Sequence, residues 1–222
     1  MNRTGLRITL GFTLLAPWLA IGQQPSVVRK LEFENPHVLI ERITIPARYV
    51  GPMHSHTNPS LEIFLTDDHI RETLADGTSR EWKSKAHEVA WAGESTHRVE
   101  NLRRSATEII SIEFKSLPPA AAKTAPSPSA LEFENEWVKV THGKLGPRQT
   151  GPVHTHPQYI GVFLTDAQLR AHISDGTVRE LSGKWGDASW RAPVTHRIEN
   201  LADAPFEAVD VNLKTVGKPV QR

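Results

Sequence analysis

The chain repeats itself, and this duplication constrains the fold more than any other feature of the sequence. Leu31-Glu32-Phe33-Glu34-Asn35 returns as Leu131-Glu132-Phe133-Glu134-Asn135, and Gly51-Pro52-Met53-His54-Ser55-His56 returns as Gly151-Pro152-Val153-His154-Thr155-His156. Phe64-Leu65-Thr66-Asp67 matches Phe163-Leu164-Thr165-Asp166, and Asp76-Gly77-Thr78 matches Asp175-Gly176-Thr177. Thr96-His97-Arg98-Val99-Glu100-Asn101-Leu102 matches Thr195-His196-Arg197-Ile198-Glu199-Asn200-Leu201. Two copies are too few for a solenoid, so the pattern predicts two similar domains in tandem. The expected organisation is an N-terminal domain over 23–115, a linker over 116–130 rich in Pro, Ala and Ser, and a C-terminal domain over 131–222.

Each copy reads as β-structure. Ile109 to Phe114 and Ala208 to Leu213 are rich in strand formers, and Asp-Gly pairs at 76–77 and 175–176 mark hairpin turns. No long amphipathic helix is evident. Short strands with closely spaced turns predict an all-β chain of two small barrels or jelly rolls.

Residues 1–22 carry Arg3 and Arg7, then an apolar stretch broken by Pro17, then Ala20-Ile21-Gly22. That pattern predicts a cleaved export signal and a periplasmic or secreted protein, with no membrane association after cleavage. The net charge is +1 and no basic stripe is present, which argues against nucleic-acid binding. With no cysteine, disulfides and thiolate metal sites are excluded.

The histidines are arranged, not scattered. Residues i and i+2 of a strand share a face, so His54 and His56 project together, as do His154 and His156. His97 and His196 are the other histidines found at matched positions in both copies. A His-x-His pair with a third His from another strand makes a facial metal site in each copy, suited to Zn, Cu, Fe, Ni or Mn. His37, His69, His87, His142 and His172 lack a matching histidine and are expected at the surface. Trp91 and Trp190 are expected inside the barrels. Arg98 with Glu100, and Arg197 with Glu199, are expected to form same-face ion pairs.

On these residues the chain resembles the cupin superfamily over nearly all of the sequence beyond the export segment. Cupins carry Gly, five residues, His-x-His, three or four residues, Glu, six residues and Gly, then a second motif ending in His, three residues and Asn. His54/His56 and His154/His156 match the core of the first motif. His97 with Asn101, and His196 with Asn200, match the second. The chain departs at the glycines: Gly51 and Gly151 sit three residues before the first His, Gly93 is one residue out of register, and copy two has Ala192-Pro193 there. It departs also at the acidic ligand, whose place falls on Ser60 in copy one and Tyr159 in copy two. Glu62, on the same face as Ser60, is a candidate ligand or a strand residue in an ion pair. Tyr159 is a candidate ligand or part of the wall.

The resemblance implies one divalent transition metal per barrel, with iron as the first expectation and Mn, Zn, Ni and Cu open. It implies a mononuclear-metal enzyme, dioxygenase- or decarboxylase-like, acting on a small organic molecule. The alternative is a non-catalytic periplasmic module that binds a small molecule or a metal. A pair in which only one barrel binds metal is a third arrangement.

Overall fold

The fold is that of a computed structural model, which describes residues 25–117 and 129–215. The expected export signal and most of the linker lie outside the described residues. The described chain is all-β, with eighteen strands and no helix. None of it is a helix long and apolar enough to cross a membrane.

The first copy folds as β1 (Val28–Glu34), β2 (Val38–Ile45), β3 (His54–His56), β4 (Ser60–Phe64), β5 (Asp68–Leu74), β6 (Ser79–Ser84), β7 (Val89–Ala92), β8 (Ser95–Asn101) and β9 (Thr107–Phe114). The second copy repeats the order as β10 (Ala130–Glu134), β11 (Val138–Leu145), β12 (His154–His156), β13 (Tyr159–Phe163), β14 (Ala167–Ile173), β15 (Val178–Gly183), β16 (Ala188–Arg191), β17 (Val194–Asn200) and β18 (Phe206–Leu213). Each barrel is a five-stranded sheet facing a four-stranded one. The orders are β1-β2-β9-β4-β7 with β3-β8-β5-β6, and β10-β11-β18-β13-β16 with β12-β17-β14-β15. The last strand of each copy is therefore the centre of its larger sheet. The Asp-Gly turns close the β5–β6 and β14–β15 hairpins, with Gly77 and Gly176 at φ 86° and 89°, where a side chain is disfavoured.

Alternation along the large sheets decides how the barrels meet. Val38 and Ile40, Leu61 and Ile63, and Ile110, Ile112 and Phe114 share one face of the first sheet. Val138, Val140, Ile160, Val162, Val209, Val211 and Leu213 share one face of the second, and all of these side chains form a single core. The main apolar core thus lies between the two barrels, not within either. Full burial of each such side chain stabilises by about 1.5–3 kcal/mol. Trp91 and Trp190 pack here too, rather than inside their barrels. Trp91 stacks on Phe133 of the other copy at 5.8 Å, and Trp190 stacks on Phe33 at 6.0 Å.

Two corners of this interface correspond by the repeat but differ in chemistry. At one, Arg42 pairs with Glu108 at 2.8 Å and lies 4.7 Å from the centre of the Trp185 ring of the second barrel. At the other, His142 replaces the arginine and meets Glu207 at 3.0 Å, with His87 of the first barrel facing the same carboxylate at 3.6 Å. The expectation that His142 lies at the surface is therefore corrected: it is 8% exposed, drawn in by its place on the inter-barrel side of β11. The expected Arg98–Glu100 and Arg197–Glu199 pairs are also replaced. Glu100 bonds cross-strand Arg71 at 2.9 Å, and Glu199 meets Arg170 at 3.4 Å, because direct cross-strand neighbours are closer than residues two apart.

Candidate metal centres

Both histidine trios assemble on the small sheets. β3 pairs with β8 so that His54 stands opposite His97, and β12 pairs with β17 so that His154 stands opposite His196. In each barrel one nitrogen from each of the three rings lies within 4.8 Å of the other two. The intervening residues lock the strand pair from the other face: Ser55 bonds Thr96 at 2.8 Å and Thr155 bonds Thr195 at 2.9 Å.

The rings are oriented by their far nitrogens. His54 Nδ1 donates to the Pro52 carbonyl at 3.1 Å, and His154 Nδ1 donates to the Pro152 carbonyl at 2.9 Å. The repeated Gly-Pro-x-His-x-His string thus supplies both ligand and support. His97 Nδ1 donates to Glu72 Oε1 at 2.7 Å, and His156 Nδ1 donates to Asn212 Oδ1 at 2.8 Å. Each partner oxygen can only accept, so each Nδ1 carries the proton and each Nε2 keeps its lone pair for an ion.

The donor set fits a metal. His154 Nε2 and His196 Nε2 lie 3.2 Å apart. Metal–imidazole bonds of about 2.0–2.1 Å at angles of roughly 90–110° separate neighbouring nitrogens by about 2.9–3.4 Å. The contact is a hydrogen bond between neutral rings, since burial and the neighbouring His154 and His156 push His196 down to about 3. Burial also lowers His56 and His154. Three neutral ligands leave the charge of a divalent ion uncompensated and leave coordination positions for a water or substrate.

Glu62 takes a different place from the trio. It lies on β4 of the large sheet, and its Oε1 accepts from Ser60 at 2.9 Å and Ser111 at 3.0 Å. Its Oε2 is buried with no hydrogen-bond partner, and burial raises its pKa. Among the described residues no carboxylate joins either trio. Tyr159 faces the second trio as wall: its ring stacks on His156 at 4.2 Å, and burial pushes the pKa of its hydroxyl up.

Asn101 and Asn200, the second-motif asparagines, have a structural part. The Asn101 amide donates to the Ile45, Pro46 and Ser105 carbonyls, and the Asn200 amide donates to those of Gly146 and Ala204. Sequence reasoning missed Glu72, Asn212, Asp210 and Arg191. Glu72 receives bonds from Arg80 at 2.6 Å and Trp82 at 3.1 Å as well as from His97. Burial opposes its charge, but these donors hold its pKa below the ordinary value. Asp210, on the lumen side of β18, is raised by burial, against the pull of His156, His154 and Arg191.

No family model matches the chain, and no curated protein matches it in sequence. Solved structures do match in fold. AerE from Microcystis aeruginosa is 14% identical, with a TM-score of 0.58 over 84% of this chain and 97% of its own. A cupin 2 conserved barrel domain protein from Leptotrichia buccalis is 12% identical, with a TM-score of 0.54 over 87% of this chain and 91% of its own. The oxalate decarboxylase of Bacillus subtilis, described with Mn(II) centres, is 12% identical, with a TM-score of 0.56 over 83% of this chain and 71% of its own. With its duplicated nine-strand barrels and a histidine trio on the small sheet of each, the chain has the fold of a two-barrel cupin.

Proposed function

We propose that this is an exported bicupin that holds one divalent transition metal per barrel and acts as a mononuclear-metal enzyme on a small organic molecule. The observation that carries the reading is the convergence of six imidazoles as two trios, with the Nδ1 atoms of His54, His97, His154 and His156 tied to acceptors. The bound ion supplies Lewis acidity or a site for dioxygen. Iron is the first expectation. Manganese gains support from the Mn(II) centres of the Bacillus subtilis fold relative.

Of the two reaction classes, decarboxylation is the better supported. It replaces carbon dioxide with a proton, and Asp210 sets in the second lumen a carboxyl whose pKa burial raises, close enough to His154 and His156 for its ionisation to feel them. The test is a panel of small carboxylic acids and diketones offered to metal-replete protein in air, following carbon dioxide release and oxygen uptake. Carbon dioxide release without oxygen uptake is expected. Oxygen uptake with it indicates the dioxygenase class. Neither, in protein of full metal content, returns the chain to the binding-module reading.

A further inference from the structure

The two lumens differ at matched positions as a set. The first presents Glu41, Glu62 and Glu113, with Arg29 as a cation that Glu41 neutralises at 2.8 Å. The second has Thr141, Gly161 and Asn212 at the positions of those three acids, and it carries Asp210 where the first has Ser111. On the adjoining strand, Arg191 pairs with Tyr159 where Ala92 pairs with Ser60. The first lumen carries three acids and a paired arginine, and the second carries one acid, Asp210, and an arginine, Arg191, that forms no ion pair among the described residues.

Arg191 points into that lumen. Its strand neighbour Trp190 packs in the inter-barrel core, so the alternate residue takes the opposite face. Its guanidinium lies 5.4 Å from the centre of the Phe163 ring, inside the barrel, and its Nε donates to Ser189 Oγ at 3.0 Å. Among the described residues it forms no ion pair with a carboxylate. Gly161 admits it: a Cβ there would stand 3.0 Å from Arg191 Nε and 3.6 Å from Asp210 Oδ1. In the first barrel that place is filled by Glu62. Arg191 stands in register with Tyr159, whose ring stacks on His156 of the trio at 4.2 Å. Arg191 is part-buried in the wall of the lumen, and its planar fork of N–H donors matches a carboxylate that reaches it.

We infer that the lumen of the second barrel is a carboxylate-binding subsite in which Arg191 anchors a small organic acid beside His154, His156 and His196, and that the first barrel lacks this subsite. The inference rests on the metal-enzyme reading for its biological sense, but its binding test stands apart. Arg191 fixes one carboxylate by charge and by its planar fork, and Gly161 leaves room for the Arg191 side chain to lie across β13. In the first barrel Glu41 and Glu113 repel an anion, and Arg29 is already paired.

The test is calorimetric titration of metal-loaded full-length protein with acetate, and with acetamide as a neutral isostere, together with elemental analysis of each sample. One acetate site at least tenfold tighter than any second is expected, with acetamide at least tenfold weaker. Arg191→Gln weakens that site tenfold or more at unchanged metal content, Arg191→Lys recovers part of it, and Arg29→Gln leaves it unchanged. Wild-type affinity in Arg191→Gln, two equal sites, or acetamide binding as well as acetate overturns the proposal. Tight, Arg191-dependent acetate binding in a protein that takes up no metal overturns the metal-enzyme reading and leaves the subsite standing.

Discussion

Glu62 and Asp210 occupy the same point of the two lumens from opposite strands. Glu62 on β4 stands in register with Ser111 on β9, and Asp210 on β18 stands in register with Gly161 on β13. Each barrel therefore keeps one buried acid at this cross-strand pair, and burial raises the pKa of both. The partner strand makes room in each case, with a serine that donates to Glu62 or a glycine that leaves space beside Asp210.

A raised carboxyl pKa has a stated sign in stability. The neutral acid favours the fold fully below the unfolded value, and that contribution is lost as pH rises through the folded one. Glu62→Gln keeps an oxygen for Ser60 and Ser111 and removes the ionisation. Its Tm at pH 7 is expected to rise by about 2–4 °C, the shift that about 1 kcal/mol produces in a chain of this size. The gain shrinks towards pH 4. Scanning calorimetry at both pH values measures it, and a lower Tm at pH 7 contradicts the burial argument.

Glu72 supports the first centre through His97 and has no counterpart in the second, where Ala171 takes its place. Glu72→Ala is expected to weaken metal binding in the first barrel by about 10–100-fold and to leave the second unchanged. Competition with a metal chelator resolves the two affinities. Equal weakening of both sites contradicts the assignment.

Acid should empty the centres in order. A lowered histidine pKa means that protons compete with metal only at lower pH, and the second barrel has burial-lowered His154 and His196, the latter at about 3, where the first has His56 lowered by burial. The first barrel is expected to release its ion as pH falls through about 6, and the second below that. In metal-free protein the same histidines give stability that is present above about 6.5 and is lost as pH falls towards their folded values. Metal retained per chain after dialysis at stepped pH tests the order.

The shared core predicts shared unfolding. Ile112 is fully buried at the seam between the barrels. Ile112→Ala is expected to cost about 2–5 kcal/mol and to lower the melting of both barrels together. Two separate transitions, with only one shifted, contradict a common core.

The duplication made the barrels and the six histidines legible, because residues held at matched places announce a shared purpose. The same filter hid what sets the barrels apart. Glu72 faces Ala171 by the repeat, Arg191 faces Ala92, and Asn212 faces Glu113, so each looked like an unmatched strand residue. Alternation also could not tell the two sides of the large sheets apart, since both are buried. Trp91 and Trp190 were therefore expected inside the barrels when they lie between them. His142 was misplaced for a related reason: its match is Arg42, so the shared feature is a cation beside a glutamate, not a histidine.

The ratio of bound metal to protein, measured by elemental analysis on wild type, His97→Ala and His196→Ala, tests the central claim most directly. Wild type is expected to carry about two ions per chain, and each variant about one, with the metal affinity of the untouched barrel's centre preserved. An unchanged ratio in either variant, or a wild-type protein that takes up no divalent ion, contradicts the account.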